Sequence, residues 1–224
     1  ILRPLLHLNP AFEDKNRVTE IEKMLGEALT ASGSGSLVID PNAPEVGLLW
    51  GNAFALSGEE ELAWARYVEN QALFKEHQHK LSAEFLRIIV HRHLAAKSIK
   101  PAVEICSAFL AKRRADPHVS DSDKAKMQIL LGDCFYRDER YEIAREHYTS
   151  AANDYRDSPE STEAHFKIVT VFIAQKVYER AMEMLDDLLK STDQQTVIRG
   201  HIMMGILHHS QGEKKLAAEE FKTV

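Results

Sequence analysis

Apolar residues recur along this chain with the period of a helix, not a strand. In 126–137 they fall at Met127, Ile129, Leu130, Leu131, Cys134 and Phe135, a broad helical face rather than the alternation of a half-buried strand. In 141–152 they fall at Tyr141, Ile143, Ala144, Tyr148, Ala151 and Ala152. The stripes break at Ser57-Gly58, Asp138-Glu139 and Gln211-Gly212, pairs suited to a turn between two helices. Ser158-Pro159-Glu160 reads as a helix start, with Ser as cap and Pro in the first turn. Asp121-Ser122-Asp123 reads as the cap of the helix ahead of Met127. Near the N-terminus, Val18, Ile21, Leu25 and Leu29, with Met24 and Ala28 beside them, predict one amphipathic helix. Gly33-Ser34-Gly35-Ser36 then stands where a second helix would run, as a flexible loop, an engineered linker or a deleted segment would.

The stripes also repeat. Gly51, Gly132 and Gly205 each follow a large apolar residue and precede Phe54, Phe135 or His208 by three. Twelve residues after each comes Ala63, Ala144 or Ala217, and four further on a ring, Tyr67, Tyr148 or Phe221. Two more windows fit with the glycine replaced. Val90 leads to His93, Ala102 and Cys106; Val169 leads to Phe172, Ala181 and Leu185. The anchors at 51, 90, 132, 169 and 205 lie 39, 42, 37 and 36 residues apart.

This pattern resembles the tetratricopeptide repeat, over about 44–224. The unit at 125–159 carries it most clearly, with Leu131, Gly132, Phe135, Ala144, Tyr148, Ala151 and Pro159. The resemblance implies an all-α fold: a right-handed superhelical α-solenoid of antiparallel helix pairs. About five repeats are expected, at 44–78, 83–117, 125–159, 162–193 and 198–224, after an N-terminal helix and Gly/Ser segment in 1–43. In each pair a small residue on either helix lets the two backbones approach. Pro117 and Pro159 come about three residues late for the pattern, which predicts second helices one turn longer in the second and third repeats. The irregular spacing is also weakly similar to that of bacterial envelope and assembly-factor repeat proteins.

Composition supports helix and narrows the function. Gly and Pro together number 17 of 224, below the roughly 27 of average usage, which disfavours a turn-rich β fold. No apolar run approaches the ~20 residues of a membrane span. A net charge of −6 argues against a generic nucleic-acid surface. Cys106 and Cys134 form no framework and no Cys-x-x-Cys pair. They read as buried apolar side chains and favour a reducing, cytoplasmic setting. The chain begins at Ile1 without a leader, so a fragment or a processed form is expected, and a removed signal would fit a periplasmic one.

Chemistry-bearing motifs are missing from the sequence. It contains no Gly-x-Gly-x-x-Gly, no phosphate loop, no His-Glu-x-x-His and no Gly-x-Ser-x-Gly. Of the close histidine pairs, His91 and His93 point apart on a helix, while His77 and His79 lie in an expected loop. His165 and His201 share one position in adjacent repeats and read as packing residues. No metal site or cofactor is therefore expected. The charge runs, Lys112-Arg113-Arg114 among them, read as solvated faces, with that basic run a candidate for an acidic partner.

The resemblance implies a non-catalytic scaffold whose first helices line a concave groove for a partner protein, as a peptide or helix segment. Carrying the family's groove positions over gives Arg87 and His91 with Leu94; Lys126, Ile129, Asp133 and Tyr136; Phe166, Thr170 and Ile173; and Ile202, Ile206 and His209 with Arg199. Asn52 matches one residue of the family's carboxylate clamp, but Leu48 and Ile88 replace its other members. The alternatives are a self-associating, homo-oligomeric assembly factor and a repeat domain of a larger enzyme or regulator.

Overall fold

A computed structural model describes residues 44–78 and 81–224. The helix and Gly/Ser segment expected in 1–43 lie outside the described residues, as does His79, and the His77 side chain is likewise not described. The described residues form eleven helices and no strand. They fall into two compact units. The first ends at Val119 and holds α1 (Pro44–Leu56), α2 (Glu60–Glu69), α3 (Gln71–His77), α4 (Ala83–Ala95) and α5 (Ile99–Arg113). The second, Ser120–Val224, holds α6 (Asp121–Arg137), α7 (Tyr141–Asp154), α8 (Glu160–Ala174), α9 (Tyr178–Leu188), α10 (Gln194–Gln211) and α11 (Lys214–Lys222).

Five helix hairpins, α1/α2, α4/α5, α6/α7, α8/α9 and α10/α11, close in one way. The first helix of each ends at a left-handed residue: Gly58, Lys97, Glu139, Lys176 or Gly212. Each stands seven positions after its anchor. The next backbone N–H returns to a carbonyl five residues back: Glu59 to Phe54, Ser98 to His93, Arg140 to Phe135, Val177 to Phe172 and Glu213 to His208, all at 2.8–2.9 Å. This closure satisfies carbonyls that the helix end leaves without partners. Glycine accepts the positive φ freely. Lys97, Glu139 and Lys176 bear a steric cost of about 1–2 kcal/mol each, since their Cβ crowds the next carbonyl.

The helix starts differ from the sequence reading. The α6 cap is Ser120, whose Oγ accepts from the Asp123 N–H at 3.0 Å, so Asp121 and Asp123 stand in the first turn instead. Pro159 occupies the cap position of α8 and its Ser158 side chain does not cap. The Ser161 N–H bonds the Ser158 carbonyl instead, and the Ser158 hydroxyl is buried without a hydrogen-bond partner. The longer second helices are observed: α5 has 15 residues and α7 has 14, against 11 in α9.

Small residues set the helix separation. A Cβ on Gly132 would stand 2.5 Å from the Tyr148 ring, so the ring of α7 packs directly on the backbone of α6. Gly205 receives Phe221 of α11 in the same manner. Gly51 departs from this, because Phe85 of α4 fills its space rather than the ring of its own hairpin partner. Ala144 is wholly buried in a cluster with Ile129, Tyr148, Ala151, Ala164, Ile168 and Val171. Ala144→Leu adds three carbons to this filled space. It should lower stability by about 1–3 kcal/mol, read as a shift in the urea midpoint. An unchanged midpoint would show slack between α6 and α7.

Candidate functional site

Within the second unit, the first helices of the three hairpins are tied by ion pairs between residues 34 or 36 apart. Lys126 of α6 reaches Glu160 of α8 at 3.6 Å. Asp133 of α6 takes Lys167 of α8 at 2.8 Å. Glu163 of α8 pairs with Arg199 of α10. Burial pushes the Glu163 carboxyl up, but the Arg199 hydrogen bond and the Arg199 and Lys167 charges outweigh it and hold it below its ordinary value. Asp133 also accepts a hydrogen bond from the Tyr148 hydroxyl at 2.7 Å. Burial and that carboxylate hold the phenol far above its usual range. The charged positions of this face are thus spent on one another and offer no unpaired clamp.

The predicted groove residues divide. Ile129 and Phe166 are buried and present no surface to a partner. The groove pattern placed them outward; here the following helix covers them, and the Arg199 guanidinium lies 4.4 Å from the Phe166 ring centre. Tyr136 is half-buried, its ring 5.4 Å from Tyr141, and burial raises its phenol above the ordinary value. Thr170 donates its hydroxyl to the Phe166 carbonyl at 2.9 Å, and Ile173 packs on the α8–α10 core. Ile202, Ile206 and His209 of α10 are exposed. In the first unit, Arg87 is held by Glu84 and Glu60, both at 2.6 Å, and the Glu84 hydrogen bond raises its already high pKa. His91 is exposed on α4 and Leu94 is buried.

The carboxylate clamp is not assembled in the first unit. Asn52 is buried, and its Oδ1 accepts from the Ser82 N–H at 2.6 Å, which fixes the start of α4. Leu48 and Ile88 are core residues.

Five of the histidines serve as packing and linking groups. His93 meets the Tyr67 hydroxyl at 3.0 Å, His147 meets Gln128 at 2.9 Å, and burial lowers the pKa of both imidazoles. His201 joins Glu220 and His208 joins Glu213, both at 2.7 Å, tying α10 to α11 and to the turn before it. His165 Nδ1 lies 2.8 Å from the Ser161 carbonyl oxygen. Among the described residues no group of three or more His, Cys, Asp or Glu could hold a metal ion. Cys106 and Cys134 are buried and not disulfide-linked. No described helix is long and apolar enough to cross a membrane.

Sequence reading missed Glu160, Glu163 and Lys167. Their signal was present as opposite charges one repeat apart on successive first helices.

No protein-family model matches the sequence, and no curated protein matches it. Solved structures do. The apo form of RapI superposes with TM-score 0.62 at 15% identity, over 93% of this chain and 59% of that one. PilF of Pseudomonas aeruginosa gives 0.57 at 14% identity, over 92% and 82%. The Cut9-Hcn1 hetero-tetramer of the APC/C gives 0.55 at 16% identity, over 92% and 36%. The chain therefore spans about three fifths of RapI and about a third of the chain matched in the Cut9-Hcn1 structure. RapI, PilF and Cut9 contain tetratricopeptide repeats, and the all-helical fold here is of that solenoid type.

Proposed function

We propose that this chain is a non-catalytic protein-interaction scaffold, and that its second unit receives an extended or helical segment of a partner along α6, α8 and α10. One observation carries this reading. The charges on that face neutralise one another, whereas Tyr136 is partly open and Ile202, Ile206 and His209 stand exposed on successive turns of α10. Such a surface suits apolar anchors rather than a lone carboxylate. The fold supports the reading: the Cut9-Hcn1 neighbour is itself a hetero-tetramer.

The test begins with affinity capture on the purified chain and mass spectrometry, which supply a partner. Exposed anchors at the centre of an interface commonly cost about 2 kcal/mol or more when truncated. Ile202→Ala with Ile206→Ala should weaken the partner by at least that much and leave the melting curve in place. Undiminished affinity, together with loss of binding on changing exposed residues of α7 and α9, would move the interface to the second helices.

A further inference from the structure

The first unit carries an imidazole at a position where three of the five hairpins carry phenylalanine. Three residues after the anchors stand Phe54, His93, Phe135, Phe172 and His208. The two histidines are partnered differently. His208 meets the Glu213 carboxylate at 2.7 Å, a group that can balance a charged ring. His93 Nε2 meets the uncharged Tyr67 hydroxyl at 3.0 Å. Rings surround this bond. Those of Tyr67 and Trp64 lie edge-on to His93, with centres at 5.8 and 6.1 Å, and Phe74 of α3 lies edge-on to Tyr67 at 4.8 Å. Tyr67 and Phe74 are both buried. The His93–Tyr67 bond thus joins α4 to α2 and, through the Tyr67 ring, to α3.

The described charges around α4 do not provide for a cation at this place. On α2, Glu60 is held by Arg87, Glu61 by Arg92 and Glu69 by Arg66. Arg92 also lies over the Trp64 ring, 5.9 Å from its centre, so a positive charge already stands beside the cluster. From Gly47 to Leu56, α1 has no ionisable side chain. The turn before α5 and α5 itself carry Lys97, Lys100, Lys112 and Arg113, and one carboxylate, Glu104, which Lys75 of α3 holds at 3.4 Å. We propose that His93 is an acid-sensitive latch of the first unit: neutral, it holds α2 and α3 on α4 through the Tyr67 hydroxyl, and protonated, it lets them loosen. The neutral imidazole accepts the phenol's hydrogen at Nε2. A proton taken from solvent at Nε2 turns that acceptor into a donor, so the hydroxyl must turn, and it leaves a charge among buried rings. Burial supports this direction, since it lowers the imidazole pKa and raises that of the Tyr67 phenol. The latch belongs to the first unit and is independent of partner binding by the second.

Tryptophan emission of the full chain tests it, because both tryptophans, Trp50 and Trp64, belong to the first unit. A histidine whose folded pKa is lowered gives stability that is complete above the unfolded value near 6.5 and is lost as pH falls below it. The urea midpoint read by emission should therefore drop further below about pH 6.5 in the wild-type chain than in two variants. His93→Phe places the ring of Phe54, Phe135 and Phe172 at this position. His93→Gln keeps an acceptor for the Tyr67 hydroxyl and takes no proton, and serves if the phenylalanine variant fails to fold. His147 is present in all three proteins, so the difference belongs to His93. In Trp50→Phe, the emission of Trp64 should weaken and shift to the red over the same pH range, and adding His93→Gln should abolish that change. Proton NMR of the wild-type imidazole should give His93 a midpoint below the ordinary value. A midpoint at or above it, or equal acid losses in the wild-type chain and the His93 variants, would overturn the proposal.

Discussion

Phe166→Ala should lower the stability of the protein by about 3–5 kcal/mol, the usual cost of emptying a buried aromatic site. The groove pattern places Phe166 among the partner anchors, where truncation would weaken binding and leave stability alone. The structure puts it in the core with Val169, Ala181, Leu185, Met204 and Leu207. Neighbours on α8, α9 and α10 all lose contacts when the ring goes, and rigid helix pairs collapse poorly onto such a hole. Arg199 adds to the loss, because its guanidinium lies over the ring and neutralises Glu163. Urea denaturation is the measurement. A midpoint that does not move, with partner affinity reduced, would return Phe166 to the binding surface.

Much of the fold was legible because each hairpin repeats one packing solution. Gly132 must be small, as the Tyr148 ring leaves no room for a Cβ, and that need is visible as a glycine followed by a ring 16 residues later. The left-handed closures were legible at Gly58 and Gly212, where composition announces the conformation, and at Asp138-Glu139 from polarity. Lys97 and Lys176 adopt the same conformation without a distinguishing side chain, because the hydrogen bond that closes the turn is made by backbone. The helix caps were misplaced by one residue or more, since Ser120 and Asp121 are both acceptable caps and only backbone direction selects between them.

The groove was less legible, for a physical reason. Position alone does not say whether a side chain on a first helix faces the partner or the next first helix. Ile129 and Ile202 stand at one register position and are equally apolar. One is buried and the other exposed because, among the described residues, only the first has a helix laid over it. The ion pairs were hidden in the same way. Asp133 reads as a groove acid until Lys167, 34 residues on, is seen to take it.

Tyr148→Ala should cost about 3–5 kcal/mol as well, and the comparison with Tyr148→Phe separates packing from polarity. The ring fills the space that Gly132 opens, and its hydroxyl donates to Asp133 at 2.7 Å. Phenylalanine keeps the ring and deletes the donor. Hydrogen bonds to a charged group contribute roughly 1.5–3 kcal/mol, and Asp133 retains Lys167 in the variant, so the loss should fall at or below the low end of that range. The folded phenol titrates far above its ordinary value, chiefly through burial and then through Asp133. A raised folded pKa stabilises the fold fully below the unfolded tyrosine value near 10 and is lost as pH rises above it. The wild-type chain should therefore lose stability above about pH 10 more steeply than Tyr148→Phe does. Parallel stability curves for the two proteins between neutral and alkaline pH would show that Tyr148 ionises as freely in the fold as in water, which its burial against Gly132 and Asp133 forbids.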